Sequence, residues 1–177
     1  MNIRISLFLA TVLVTALAEI SEEDKQAILA QHNDYREEMM TGAISDQPIA
    51  TSLSDLQWDD ELARSAERLA DSCNWGHDQK EDRAHSQWDW VGQNLYGGGN
   101  VADAVKLWFE EHKDYNYSDG ECTGVCGHYT QVVWQDTTHV GCAIRNCDGI
   151  NDYFYKNYVV CNYGPGGNWN GNKPYEV

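Results

Sequence analysis

Five of the six cysteines fall between Cys122 and Cys161, and no other feature so narrows what this chain can fold into. The runs from His139 to Asn146 and from Tyr153 to Tyr163 read as strands, and residues 148–152 between them supply turn formers. A hairpin centred near Asn151 puts Cys142 opposite Cys161. Cys147 lies five residues from Cys142, an odd spacing that turns it to the other face, and it is expected to bridge to the distant Cys73. Cys122 and Cys126 then close a small loop. No Cys-x-x-Cys pair occurs, so thiolate zinc is not the expected use of these sulfurs.

The opening residues put Arg4 ahead of an apolar run from Leu7 to Leu17 and end in Ala16-Leu17-Ala18, the pattern of a leader cleaved after Ala18. The run is short of the ~20 apolar residues that a membrane helix needs, and no later segment qualifies. A secreted, extracellular, soluble protein is expected, with residues 19–177 as one domain. Export also favours three disulfides from an even cysteine count. The net charge is −16, and loss of Arg4 with the leader makes it −17. Such a field opposes binding to phosphate backbones, which argues against nucleic acid as a partner. A monomer is expected.

Helical spacing is legible in three places. A first helix is expected from Ser21, capped with Asp24, with Ile28, His32, Tyr35 and Met39 inward and Gly42 and Pro48 ending it. A second, from Asp59 to Cys73, buries Leu62, Ala66, Leu69 and Ala70. Residues 74–96 fit no period and read as a long ordered loop, followed by a break at Gly97-Gly98-Gly99. Asn100 is expected to cap a third helix with Val101, Val105, Trp108 and His112 on one side. A short fourth helix spans Tyr129 to Trp134. Helices followed by strands imply an α+β sandwich.

The phrases CGHYTQVVW, VGCA and YVVCNY, in that order, resemble the CAP superfamily: cysteine-rich secretory proteins, antigen 5 and pathogenesis-related-1 proteins. The likeness is read as nearest to single-domain plant and fungal pathogenesis-related-1-like members and runs from about Ala27 to Tyr175. It implies a three-layer α-β-α sandwich around a central antiparallel sheet, with the same disulfides: Cys73–Cys147, Cys122–Cys126 and Cys142–Cys161. It also implies a cleft of two histidines and two acids. Carried over position by position, these are His77, four residues after Cys73; His128, opening the signature helix; and Glu111, in Trp108-Phe109-Glu110-Glu111. The second acid belongs to a Gly-Glu-Asn-Leu phrase, and here the chain reads Gly92-Gln93-Asn94-Leu95. An amide has no charge with which to hold an imidazole, which weakens the case for a metal.

His77 and His128 are thus the metal-ligand candidates, for loose binding of zinc or another divalent ion, and no cofactor is required. No residue is assigned a catalytic role. A nucleophile beside a base is missing from the signature phrases, so zinc-hydroxide is the sole defensible route to a hydrolase or protease. The resemblance implies a sterol or fatty-acid ligand instead. Trp75, Trp88, Trp90 and Tyr96 suit an apolar ligand with a polar tip, and residues 76–96 are where it is expected. The tail from Pro165 to Pro174-Tyr175 resembles a peptide liberated from plant pathogenesis-related-1 proteins, a third reading, though Glu176 and Val177 extend past its end. Asn116-Tyr117-Ser118 is a glycosylation sequon. His32, His85, His112 and His139 have no site-like context and read as core or surface.

Overall fold

The computed structural model describes residues 20–150 and 155–177; the leader expected over residues 1–18 and the turn expected near Asn151 fall outside the described residues. The elements in chain order are α1 (Glu22–Thr41), β1 (Gln57–Trp58), α2 (Asp60–Ser72), β2 (Gly92–Gly98), α3 (Asp103–Glu110), a 3-10 turn (Glu111–Asp114), β3 (Tyr115–Asn116), β4 (Glu121–Cys122), α4 (Gly127–Val132), β5 (His139–Asn146) and β6 (Asn157–Gly164). A sheet in the order β1-β5-β6-β2 forms the middle layer, and β3–β4 makes a separate small ribbon. Its strands are antiparallel except for the two-residue β1, which runs parallel to β5.

The caps are those that the side chains dictate. Ser21 Oγ accepts the Asp24 N–H at the start of α1, and Gly42 ends that helix at φ 76°. Asp59 accepts the Leu62 N–H at the start of α2. Cys73 closes α2 in the left-handed region at φ 50° and is bonded to Cys147 on β5's C-terminal side. Cys142 and Cys161 pair directly across β5 and β6 and are joined, as are Cys122 and Cys126.

One face of the sheet carries α2. Tyr158, Val160, Ala143 and Leu95 meet Ala66 and Ala70 there. The approach is close: a Cβ on Gly141 would stand 2.3 Å from both the Ala63 nitrogen and the Asp59 oxygen, so only glycine fits. The other face carries α1, α3 and α4, where Val140, Cys142, Val159, Cys161 and Tyr163 join Ile28, Trp108 and Tyr129 in the larger core. The expected α-β-α layering is what the chain forms.

Several local expectations shift. The inward residue on α1 is Arg36 rather than Tyr35. Its guanidinium is fully buried and donates to the carbonyls of Ser54, Val132, Trp134 and Thr137, so the charge is met by backbone oxygens of the segment before β1, the last residue of α4 and the turn after it. On α2, Ser65 is buried where Leu69 was expected, because Asn162 of β6 donates to its hydroxyl. The last residues of the supposed loop, 92–96, belong to strand β2, and Gly97 and Gly98 continue its ladder with β6. Asn100 accepts the Ala102 N–H in a turn ahead of α3 instead of capping the helix. His112 lies in the 3-10 turn, and α4 begins two residues earlier than Tyr129.

Candidate functional site

β2 is an edge strand, and its pleat sends neighbouring side chains to opposite faces. Gln93 points to the α2 side and Asn94 to the side of α1, α3 and α4. Each anchors one half of the expected cleft.

On the first side, His77 sits four residues past the cap of α2, exposed, with Nδ1–H donating to Gln93 Oε1 at 2.9 Å. Gln93 Nε2 donates to Asn162 Oδ1 at 2.9 Å and to Asp78 Oδ1 at 3.2 Å. Asp78 in turn accepts from Arg83 Nη1 at 2.6 Å, and Arg83 Nε donates to the Val91 carbonyl. Both partners of that ion pair are largely buried. The departure from the family phrase therefore has a local reason. A glutamate at position 93 would set its carboxylate against those of Asp78 and the Asn162 carbonyl oxygen, whereas the amide donates to both. Negative charge is still present one residue from His77, in Asp78, but Arg83 offsets it.

On the second side, Glu111 grips the start of α4. Its Oε1 accepts from His128 Nδ1 at 2.6 Å, and its Oε2 accepts the backbone N–H groups of His128 and Tyr129 at 3.0 and 3.3 Å. The carboxylate thus caps the helix and fixes the imidazole together. The ring of Trp108 lies 6.2 Å from that of His128, nearly parallel, and its indole N–H donates to the Leu95 carbonyl. Asn94 Nδ2 donates to the His128 carbonyl and to the Tyr163 hydroxyl. Tyr163 donates onward to Nε2 of His32, whose Nδ1–H bonds the Ile28 carbonyl. His32 is fully buried, and desolvation is the main reason its pKa falls from 6.5 to about 4. The chain Asn94–Tyr163–His32 stands behind His128 and ties β2, β6 and α1 together. His32 belongs to this support, a role that its sequence surroundings did not announce.

The structure thus places His77 with Gln93 of β2 and His128 with Glu111 at the start of α4. In each imidazole Nδ1 is engaged and Nε2 has no protein partner among the contacts of the described residues. No group of three or more His, Cys, Asp or Glu side chains is placed to hold a metal ion among those residues.

The aromatic residues of residues 74–96 do not share one wall. Trp75 is exposed, against Tyr155 and Tyr158. Trp88 is stacked on His85 at 4.1 Å and abuts Gly164, and Trp90 pairs with Trp169. His85 is buried with Nε2 between Asp59 and Glu61, at 3.2 and 3.4 Å. Burial raises the Asp59 pKa, but the Leu62 N–H and His85 outweigh it and leave it lowered. Two cavities lie elsewhere. One of about 330 Å³ has apolar lining from Ile20, Trp58, Ala63 and Cys142 and charged lining of both signs, Lys25 and Arg64 beside Glu22, Asp60 and Glu67. The other, about 600 Å³, is an open groove along the tail. Asn116 is exposed on β3, its side chain engaged by Ser118 and Asp119. No helix among the described residues is long and apolar enough to cross a membrane.

The profile of the cysteine-rich secretory protein family, CAP, matches residues 29–163. Venom allergen 5.02 of Vespa crabro is 38% identical over 174 residues, covering 91% of this chain and 83% of the relative. Salivary antigen-5 of Triatoma infestans is 34% identical over 189 residues, covering 91% and 75%. Venom allergen-like protein 4 of Schistosoma mansoni superposes with a TM-score of 0.79 at 34% identity, covering 89% of this chain and 96% of that one. The crystal structure of NaASP2 with Zn2+ does so with a TM-score of 0.72 at 30% identity, covering 88% and 86%. With fold, disulfides and sequence in agreement, the chain belongs to the CAP family.

Proposed function

We propose that this CAP-family protein is secreted and acts by binding an amphiphilic lipid, a fatty acid or a sterol, in defence or host interaction. The leader-like opening and relatives named for venom and saliva support export. The observation that carries the ligand class is the cavity of about 330 Å³ between the start of α1 and α2. Ile20, Trp58, Ala63, Cys142 and Ala143 give it apolar walls, and its charged lining is mixed, Lys25 and Arg64 with Glu22, Asp60 and Glu67, of which Glu22 and Asp60 pair with Lys25. That volume is within the range of small-molecule pockets, and an amphiphile has apolar walls for its body and hydrogen-bonding groups of both kinds for its polar tip. This site is apart from residues 76–96, and it moves the lipid away from both histidines.

The alternative is a zinc-dependent hydrolase. Its support is that both imidazoles keep Nε2 available while Nδ1 is held, the usual preparation of a ligating histidine. Two imidazoles would hold a divalent ion loosely, with water completing its shell; Glu111 and Gln93 are committed to orienting the rings. Bound zinc would supply an acidified water. A solved relative crystallised with zinc makes the ion worth testing.

Titration of the mature protein with a fatty acid and a sterol, with and without chelator and alongside a peptide library, separates the readings. Saturable lipid binding that survives chelation and the changes His77→Ala and His128→Ala is the expected result. Chelator-sensitive peptide cleavage without lipid binding would overturn it. Glycan attachment at Asn116 is proposed on the sequon and its exposure, and a mass shift on glycosidase treatment tests it.

A further inference from the structure

The rings of Trp90 and Trp169 meet at 5.9 Å and 54°, making an open corner on the surface. Trp169 is 54% exposed, and Trp90 is half-buried. Both are held firmly. The Trp90 indole N–H donates to the Gly167 carbonyl at 3.0 Å, and Gly166 lies so close that a Cβ there would stand 2.6 Å from the ring. The Arg83 guanidinium covers the same ring at 5.5 Å. Trp169 is aimed by Asn168, a non-glycine residue at φ 60°. The Asn168 amide accepts from Thr130 Oγ1 at 2.7 Å and donates to the Gly127 carbonyl at 2.9 Å. Such a backbone persists where surroundings impose it, and here it fixes an exposed ring.

The corner is wired to both halves of the cleft. Arg83 leads through Asp78 and Gln93 to His77, and Asn168 grips Gly127 beside His128. We propose that Trp90 and Trp169 form a binding site for a neutral sugar ring of a glycan. An indole face takes the C–H face of a pyranose while the sugar's hydroxyls stay outward. Asn170 and Asn172, both exposed on the same turn, each offer a donor and an acceptor at that rim. A wholly apolar ligand would remain mostly in water on so open a corner. Anionic sugars are disfavoured by the net charge of −16 and by Asp78, which offsets the nearest guanidinium. Two rings also fall far short of the ~800 Å² per partner that a stable protein interface buries. The site stands on its own residues and does not rest on the lipid reading.

The test uses the mature protein titrated calorimetrically with chitotetraose, cellotetraose and laminaritetraose, and with tetragalacturonate as the anionic probe. At least one neutral tetrasaccharide is expected to bind, and more tightly than tetragalacturonate. Trp169→Ala should weaken it about tenfold, Trp169→Phe should keep most of the affinity, and Trp75→Ala, an exposed ring elsewhere, should leave it unchanged. The proposal is overturned if none of the neutral probes binds at about 10 mM, if Trp169→Ala binds like the parent, or if tetragalacturonate binds best.

Discussion

His32, Arg36 and Tyr163 are buried polar side chains whose hydrogen bonds hold the ground on which the cleft stands. For His32 this has a measurable pH signature. Its folded pKa of about 4 lies below the unfolded 6.5, so at intermediate pH the unfolded chain takes a proton that the native protein refuses. Stability from this residue is complete above about pH 6.5, declines as pH falls toward 4 and is lost below, a difference of roughly 3 kcal/mol. Urea midpoints measured from pH 7 to 4 should fall for the parent, and His32→Gln, which does not titrate, should flatten this part of the decline. The four cleft residues were legible because each sits in a short local phrase. Asp78, Arg83 and His32 were not, since what defines them is a partner brought by the fold: Val91 and Gln93 for the first two, and Tyr163, 131 residues away, for the third.

Among the elements, the β5–β6 hairpin and α2 were readable from periodicity and turn residues, and the disulfides followed from them. β2 was not. Its sequence, GQNLYGG, has no alternation of polar and apolar residues, because Gln93 and Asn94 both point into hydrogen-bonded surroundings and the glycines pair along β6. Parts of the chain far apart in sequence are secured covalently. The Cys73–Cys147 bond spans 74 residues, and by the chain-entropy estimate its loss costs about 4 kcal/mol. Chemical denaturation of Cys73→Ala/Cys147→Ala should show that loss, with α2 and the segment bearing His77 exchanging amide hydrogens faster than the α1–α3–α4 side.

At the scale of the whole molecule, the tail is a fastening. Tyr175 is 3% exposed within the larger core, its hydroxyl near that of Tyr129, and burial moves its pKa up to about 12 against the lowering effect of the Tyr129 hydrogen bond. Gln135 N–H donates to the Pro174 carbonyl and Thr51 N–H to the Glu176 carbonyl, so the chain end is tied to the turn after α4 and to the segment before β1. Release of a terminal peptide would first have to extract that ring. Tyr175→Ala should cost about 3 kcal/mol, a fall in Tm of roughly 6–12 °C by calorimetry; an unchanged Tm would mean that the tail is dispensable and free to be processed. The pleat of β2 has a consequence for descent as well. Positions 93 and 94 are inherited side by side, yet a substitution at one alters only the α2 flank and at the other only the opposite flank. The two flanks can therefore diverge separately under selection, while a single-codon insertion between them would turn both side chains to the same face and leave one flank without its anchor.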